Sequence, residues 1–303
     1  MYQNQNKGIS AGILAGVFWG TPFLVPLVLA SFSSIDITFG RFLVFGLISC
    51  FALPKIIKLF RDFSLSDLFM LLALSATGFW LYTIVLFIGV KLTNGVIAAQ
   101  IVGTLPLTIT LFSNPRFNYR LWLGLFSILL GMTTLLIVPL FNADIFHVTF
   151  QHIHPMGILV LLLALGMWTW FAIANARFIV KHPYVRALDY SSLMGILSLL
   201  CMLPIMAISH DFHALFINPN LNVFIFWCVV LGLGASWIAN VFWAYCCKNT
   251  PSSVYGTLIV SETIFGLIYS FIFQHRLPYF YELISIALLI TGVVMTVHSQ
   301  TNE

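Results

Sequence analysis

The sequence predicts an all-α integral membrane protein that crosses the bilayer about ten times. Of its 303 residues, 60% are hydrophobic and only 7% are charged, whereas about 25% of an ordinary soluble domain is charged. Long apolar runs follow one another along the whole chain and are separated by short polar clusters. The second half also repeats features of the first half in the same order. These observations exclude a soluble globular domain and indicate a duplicated helical bundle.

Each apolar run is close to the roughly 20 residues that a helix needs to cross the hydrocarbon layer. The first run is also too long for the apolar part of a signal peptide, which has about 7–15 residues. The runs are continuously apolar and do not alternate, which favours helices over the strands of a membrane barrel. The predicted spans are residues 9–30, 35–53, 67–90, 95–113, 120–140, 155–178, 189–208, 221–246, 252–273 and 279–298.

The basic residues predict the orientation of these spans, because cytoplasmic loops carry an excess of Lys and Arg. If the N-terminus lies inside, Lys91 and Arg276 face outward and Arg41 lies within a span. The other ten of the 13 basic residues are then cytoplasmic: Lys7, Lys55, Lys58, Arg61, Arg116, Arg120, Arg177, Lys181, Arg186 and Lys248. Both termini are therefore predicted to be cytoplasmic.

A weak internal repeat predicts two five-helix units, residues 1–145 and 146–303. An odd number of spans in each unit forces the second copy to lie upside down relative to the first. The aligned pairs are Trp19 with Trp168, Asp36 with Asp189, Trp80 with Trp237, Lys91 with Lys248, Thr93 with Thr250 and Pro106 with Thr263. Chance similarity between two apolar sequences is the alternative.

Two ionisable side chains fall inside predicted spans, where charge is costly and usually functional. Glu262 lies about 15 Å into its span, near the expected midplane. Its carboxyl could carry a proton, pair with a cationic solute or fix helix packing. Arg41 lies about two turns from the outer end of its span. It could extend to the interface, bind a solute carboxylate, or hold Asp36.

Four stretches resemble the EamA-type branch of the drug/metabolite transporter superfamily. They are the opening AGVFWGTPF, the arginine in DITFGRF, the run KLTNGVIAAQIVGTLPL, and the ending SETIFGLIYSFIFQHRLPYFYELISIALLITGVVM. The resemblance covers nearly the whole chain and implies ten helices in two inverted repeats. The chain departs from the family pattern at Thr263, where a proline usually follows the glutamate, and near His275, where a glutamate usually follows the span.

The resemblance also implies a solute cavity between the halves, walled mainly by the third, fourth, eighth and ninth spans. Helical spacing then selects the residues that face it. The predicted substrate-binding or coupling residues are Glu262, Arg41, Trp19, Trp80, Tyr82, Gln100, Trp168, Asn175, Trp237, Asn240 and Tyr255. For each aromatic residue in this set, packing within the bundle or against lipid is the alternative.

The leading hypothesis is a secondary transporter that moves a small metabolite across a bacterial inner membrane by alternating access. A bulky or aromatic amino acid is favoured, and protons are a candidate coupling ion. One alternative is a carrier for a nucleotide- or cofactor-like solute, and another is a membrane scaffold or sensor without transport. Nothing in the sequence indicates an enzyme, a cofactor, a metal site or a nucleic-acid partner. Expected partners are the solute, membrane lipids and, as an open possibility, a second copy of the chain.

Overall fold

The computed structural model describes residues 4–112, 118–141, 154–209, 215, 217–273 and 275–301, and within these ranges it is helical without any strand. Seven helical stretches are long and apolar enough to cross a membrane, and three shorter apolar helices accompany them. In chain order the ten are α1 Gln5–Val28, α2 Ser34–Asp62, α3 Leu65–Leu92, α4 Ile97–Ile109, α5 Tyr119–Leu135, α6 Pro155–Lys181, α7 Ala187–Ile208, α8 Leu221–Asn249, α9 Val254–Phe273 and α10 Phe280–Thr296. The shorter three are α4, α5 and α10.

The helices agree with the predicted all-α class, and one lies at each predicted span. Because three of them are short, the number of crossings stays a prediction. The boundary predicted between residues 145 and 146 lies outside the described residues, as does residue 113 at the end of the fourth predicted span.

Short polar motifs start several of these helices. Ser33 and Asp36 form a reciprocal capping box at the start of α2, and Ser64 and Asp67 form another at the start of α3. Each side chain satisfies a backbone N–H group that the first helical turn leaves without a partner. The serines therefore fix where α2 and α3 begin.

Several helices are interrupted part-way along their length. After Trp19, α1 becomes a 3₁₀ turn over Thr21–Phe23, where the ring of Pro22 fits the first turn. The α3 helix breaks at Phe79, and α9 breaks between Leu258 and Val260. In α8, Val230–Ile238 is a π-type stretch, a form that is often found at functional sites.

Glycines let α1 lie directly against its neighbours. Gly8 and Gly12 contact the end of α8, and Gly16 and Gly20 contact α9. A Cβ atom at Gly16 would lie only 1.9 Å from the hydroxyl oxygen of Ser261. Small residues that admit a close backbone approach are typical of helix interfaces in membranes. The stripe of glycines in α1 therefore packs along most of its length.

The main helix contacts pair α1 with α8 and α9, and α6 with α3 and α4. In addition, α2 packs on α7, α4 on α9, and α5 on α10. The α5–α10 contact is close enough that a Cβ atom at Gly292 would lie 2.6 Å from the carbonyl oxygen of Gly124. The first four and the sixth to ninth helices thus surround a common centre, where the candidate site lies.

Candidate functional site

A cavity of about 20 Å³ lies at the centre of the bundle, only slightly larger than a single water molecule requires. Its wall includes Trp19 of α1, Arg41 of α2, Tyr82 of α3, Trp168 of α6 and Glu262 of α9. Trp168 is thirteen residues from either end of the 27-residue α6, or about 20 Å from each end at 1.5 Å per residue. The cavity is therefore central along the helix axis and small.

Arg41 is buried, with only 6% of its surface exposed. Its Nε donates to the Ser236 hydroxyl at 2.7 Å, Nη1 to the Thr83 hydroxyl at 3.4 Å, and Nη2 to the Ala235 carbonyl at 3.2 Å. Three of the five N–H donors of a guanidinium are thereby used, and two have no partner among the described residues. Arg41 therefore points inward, and the alternative in which it extends to the membrane interface is wrong.

The π-type stretch of α8 supports this position of Arg41. The Ala235 carbonyl accepts hydrogen bonds from Arg41 and from Nε1 of Trp19, the latter at 3.0 Å. Gly232 lets the backbone of α8 approach α2, because a Cβ atom there would lie 2.6 Å from the Arg41 carbonyl oxygen. The irregular backbone of α8 therefore holds side chains from α1 and α2 at the cavity.

Glu262 is 3% exposed and belongs to the first turn of the second segment of α9, Val260–Phe273. Its Oε2 is buried without a hydrogen-bond partner among the described residues. The carboxyl shares the cavity wall with Arg41, and the helix N-terminus beneath it carries partial positive charge. Glu262 therefore places a carboxyl group with one unpartnered oxygen in the cavity wall.

Aromatic rings cover much of the remaining wall. The ring centroids of the wall residues Trp19 and Trp168 are 5.4 Å apart. Trp243 packs behind them, 5.1 Å from Trp19 and 6.1 Å from Trp168. Tyr82 and Phe171 pack edge-on or tilted against Trp168 at 5.9 and 4.7 Å. Such a cluster offers both apolar contact and the negative faces of aromatic rings.

Other polar groups around the centre also lack partners in the described part of the chain. The Tyr82 hydroxyl and both amide atoms of Asn240 are buried without a hydrogen bond, and both residues line the cavity. Buried polar groups are nearly always satisfied in native proteins, so such exceptions require an explanation. Binding of a polar solute or of water would satisfy them.

The structure brings together six of the eleven predicted site residues. The six in the cavity wall are Glu262, Arg41, Trp19, Tyr82, Trp168 and Asn240. Tyr255 lies one layer out, with its ring 5.7 Å from Trp243. Trp80 and Gln100 have polar atoms buried without a partner, but neither belongs to the cavity wall.

The two remaining predicted residues point to other neighbours. Asn175 accepts a hydrogen bond from the Tyr190 hydroxyl, and Trp237 donates to the Ser192 hydroxyl at 3.2 Å. Trp237 also packs edge-on against Phe51, with the ring centroids 5.8 Å apart. Both residues therefore join α7 to neighbouring helices and do not line the cavity.

Sequence reasoning missed several residues of the wall, namely Pro22, Gly78, Phe79, Leu86, Phe171 and Ala235. Phe171 could have been found from helical spacing, because it follows Trp168 by three residues on α6. Phe79 could not, because it lies where α3 breaks and ordinary helical spacing fails. Ala235 contributes through its carbonyl group, which no side-chain pattern reveals.

The helices thus enclose polar and charged side chains at the centre of the bundle, an arrangement that membrane transport proteins use for solute sites. The chain is a member of the EamA-like transporter family, whose model matches residues 6–138 and 155–298. It is therefore a membrane transporter of small solutes by family, as the sequence motifs predicted.

Two curated relatives are similar over most of the chain. Inner membrane protein YtfF of Escherichia coli (strain K12) is 27% identical over 320 residues, covering 98% of this chain and 97% of the relative. The uncharacterized transporter YdfC of Bacillus subtilis (strain 168) is 27% identical over 236 residues, covering 77% and 72% of the two chains. A solved structure described only as "Crystal structure of protein" has a TM-score of 0.73 at 18% identity and covers 98% of both chains. It shares the fold.

Proposed function

We propose that the chain is a secondary transporter for a bulky or aromatic amino acid, coupled to protons through Glu262. Transport follows alternating access, with the central cavity exposed to one side of the membrane at a time. The observation that carries the proposal is the presence of Arg41, Glu262 and aromatic rings in the wall of one small central cavity. A cavity of about 20 Å³ is too small for an amino acid, so the proposal requires the helices to move apart to admit the solute.

The proposed architecture is ten crossings in two inverted five-helix halves. The family model matches one range in each half. Related contacts recur in the two halves: Lys91 at the end of α3 donates to the Phe32 carbonyl, and Lys248 at the end of α8 donates to the Val185 carbonyl. Phe32 lies between α1 and α2, and Val185 lies between α6 and α7. These equivalent tethers support the duplication.

Several of the helix contacts also occur in equivalent pairs. In the proposed repeat, each of the first five helices is equivalent to the helix five places later. The contacts of α1 with α8 and α9 are then equivalent to those of α6 with α3 and α4. The contacts α2–α7, α4–α9 and α5–α10 each join two equivalent helices. For the membrane, the distribution of basic residues supports cytoplasmic termini. The name of the Escherichia coli relative supports a bacterial inner membrane.

The charges in the wall favour a zwitterion. The two free N–H donors of Arg41 suit a carboxylate, and the unpartnered oxygen of Glu262 suits an ammonium group or a proton. The tryptophan cluster suits a large apolar side chain. An amino acid presents these three groups together.

A nucleotide- or cofactor-like anion is the rival solute, and the wall favours it less. Phosphate groups are usually held by several basic side chains. Among the described residues that line the cavity, Arg41 is the single basic one, and three of its donors already bind protein atoms.

The test is uptake of labelled phenylalanine and tryptophan into proteoliposomes. The competitors are three unlabelled compounds that share a phenylethyl group. Phenylalanine keeps both charged groups, phenethylamine lacks the carboxylate, and phenylpropionate lacks the ammonium group. We expect saturable uptake, with each truncated analogue competing about tenfold or more weakly than the zwitterion, because a charged hydrogen bond contributes about 1.5–3 kcal/mol. Empty liposomes and a nucleotide competitor serve as controls.

Equal competition by the zwitterion and both truncated analogues would contradict a site that binds both charged groups. Competition by the nucleotide alone would support the rival solute. No uptake of any amino acid, by protein that remains folded, would favour a scaffold or sensor and contradict the proposal.

A further inference from the structure

Two adjoining grooves follow the outside of α6, away from the central cavity. One, of about 520 Å³, lies between α4 and α6, and the other, of about 260 Å³, lies between α3 and α6. Both are lined by Trp170, Ala174 and Arg177. These three residues are spaced by four and three positions and so form one ridge along α6. We name this feature the α6 ridge.

The part of the grooves that runs from Arg177 toward Leu162 is apolar and lies on the outside of the bundle. The groove between α4 and α6 extends along α6 to Leu162 and includes Leu165 and Ile173. Leu162 is 48% exposed and Trp170 is 42% exposed. Thr108 and Thr169 are the polar side chains in this stretch, and their hydroxyls bind one another at 2.8 Å. The walls therefore suit hydrocarbon.

The opposite end of the ridge is basic. Arg177 is exposed and forms no ion pair or hydrogen bond within the part of the chain that the structure describes. Lys181 contacts Asp67 at 2.6 Å, but its side chain is 62% exposed. The groove between α3 and α6 thus carries two basic groups against one acidic group, and the hydroxyl residue Ser66 lies beside them. A positive charge remains free to bind an anion.

We propose that the α6 ridge binds an anionic phospholipid of the cytoplasmic leaflet. The phosphate contacts Arg177 and Lys181. The two acyl chains lie in the two grooves, one on each side of Trp170 and Ala174. Basic pockets between helices on the cytoplasmic side are suited to acidic headgroups. The inference relies on the proposed orientation, in which Arg177 and Lys181 are cytoplasmic, and not on the identity of the transported solute.

Gly166 leaves additional space in the groove between α4 and α6, because a Cβ atom at this position would meet no described atom within 4 Å. On α1, by contrast, the glycine stripe packs directly on α9, and a Cβ atom at Gly20 would lie 2.7 Å from the backbone nitrogen of Gly266.

The test uses the fluorescence of Trp170 in phosphatidylcholine bilayers that contain a small fraction of brominated lipid. Bromine on an acyl chain quenches a nearby indole ring, and the Trp170 signal is the difference between wild type and Trp170→Phe. Brominated phosphatidylglycerol is compared with brominated phosphatidylcholine at the same fraction. The variants are Arg177→Gln, Arg177→Lys and, as a matched control, Arg120→Gln, because Arg120 is on the same predicted side of the membrane and lines neither groove.

We expect brominated phosphatidylglycerol to quench Trp170 more strongly than brominated phosphatidylcholine. The preference falls about fivefold in Arg177→Gln, as expected for one basic group near the surface, and remains in Arg177→Lys and Arg120→Gln. If the preference is lost in Arg177→Gln but kept in Arg177→Lys, the loss is due to the missing positive charge and not to misfolding.

Equal quenching by the two lipids would overturn the proposal, as would an unchanged preference in Arg177→Gln. Excess quenching that persists in Trp170→Phe would assign the anionic lipid to another surface. No quenching of Trp170 by either lipid would mean that a second copy or another protein covers the ridge, and this would also overturn the proposal.

Discussion

The indole rings of Trp19 and Trp168 meet edge-on at the centre of the bundle, with their centroids 5.4 Å apart. The two residues are aligned partners in the predicted repeat, one on α1 and one on α6. Both line the cavity that also contains Arg41 and Glu262. A contact between equivalent residues is expected on the axis that relates two halves of a duplicated bundle.

Replacement of Trp168 tests whether this aromatic cluster binds the solute. We expect Trp168→Leu to weaken competition by aromatic amino acids about three- to tenfold and competition by leucine less, because an aromatic pair contributes about 0.5–1.5 kcal/mol beyond its buried area. The matched control is Trp122→Leu, since Trp122 lies on α5 and is 54% exposed. Equal losses for aromatic and aliphatic solutes would indicate that Trp168 only packs the bundle.

Replacement of Arg41 tests the proposed carboxylate site. Arg41→Lys keeps the charge but loses the planar donor geometry, and we expect solute affinity to fall about tenfold or more. Competition by phenethylamine, which has no carboxylate, is expected to change little. Arg120→Gln controls for the loss of an arginine. A thermal unfolding scan of each variant shows whether the loss of the Ser236 and Ala235 bonds has unfolded the protein instead.

Substitution of Gly16 tests whether α1 packs closely against α9 at this position. A Cβ atom there would lie 2.7 Å from Cβ of Ser261 and 2.9 Å from the backbone nitrogen of Glu262. We therefore expect Gly16→Ala to lower the free energy of unfolding by about 1–3 kcal/mol, the usual cost of overpacking. Gly166→Ala is the matched control and is expected to be neutral or stabilising by up to about 1 kcal/mol. Similar unfolding temperatures for the two variants would contradict the close approach of α1 to α9 at Gly16.

Removal of the ion pair between Arg276 and Glu282 tests how much this pair stabilises the connection between α9 and α10. Two guanidinium nitrogens of Arg276 each lie 2.7 Å from a carboxylate oxygen of Glu282, and the Tyr279 backbone N–H also donates to this carboxylate. We expect Glu282→Gln to destabilise the protein by about 1.5–3 kcal/mol. Asp62→Asn, which removes an exposed carboxylate, is expected to change stability by less than about 0.5 kcal/mol.

The effect of this ion pair is expected to be constant through the neutral pH range. The hydrogen bonds to Glu282 raise the pKa of Arg276 above its ordinary value. A raised pKa of a basic group adds stability that is fully present below the unfolded pKa and is lost only as pH rises through the folded pKa. A stability difference between wild type and Glu282→Gln that falls between neutral and mildly alkaline pH would contradict this assignment.

The sequence was sufficient to predict the helices, because each long apolar run has few structural choices in lipid. It also singled out Arg41 and Glu262 as candidates, since charged residues within apolar runs are conspicuous, and both lie in the cavity wall; their roles stay predictions. Asn175 and Trp237 lie outside the cavity wall and contact α7, because helical spacing gives the face on which a residue lies but not the helix that packs against that face. Ala235 and Phe79 were missed for another reason: they act where α8 and α3 depart from regular helical geometry, and that departure depends on packing between distant segments.

The most direct test of the central claim is amino-acid flux into proteoliposomes with and without an imposed pH gradient, for wild type, Glu262→Gln and the control Asp62→Asn. If Glu262 carries the coupled proton, the gradient accelerates flux by wild type and Asp62→Asn, whereas Glu262→Gln retains solute exchange without a response to the gradient. A gradient response in Glu262→Gln equal to that of wild type would contradict proton coupling through Glu262.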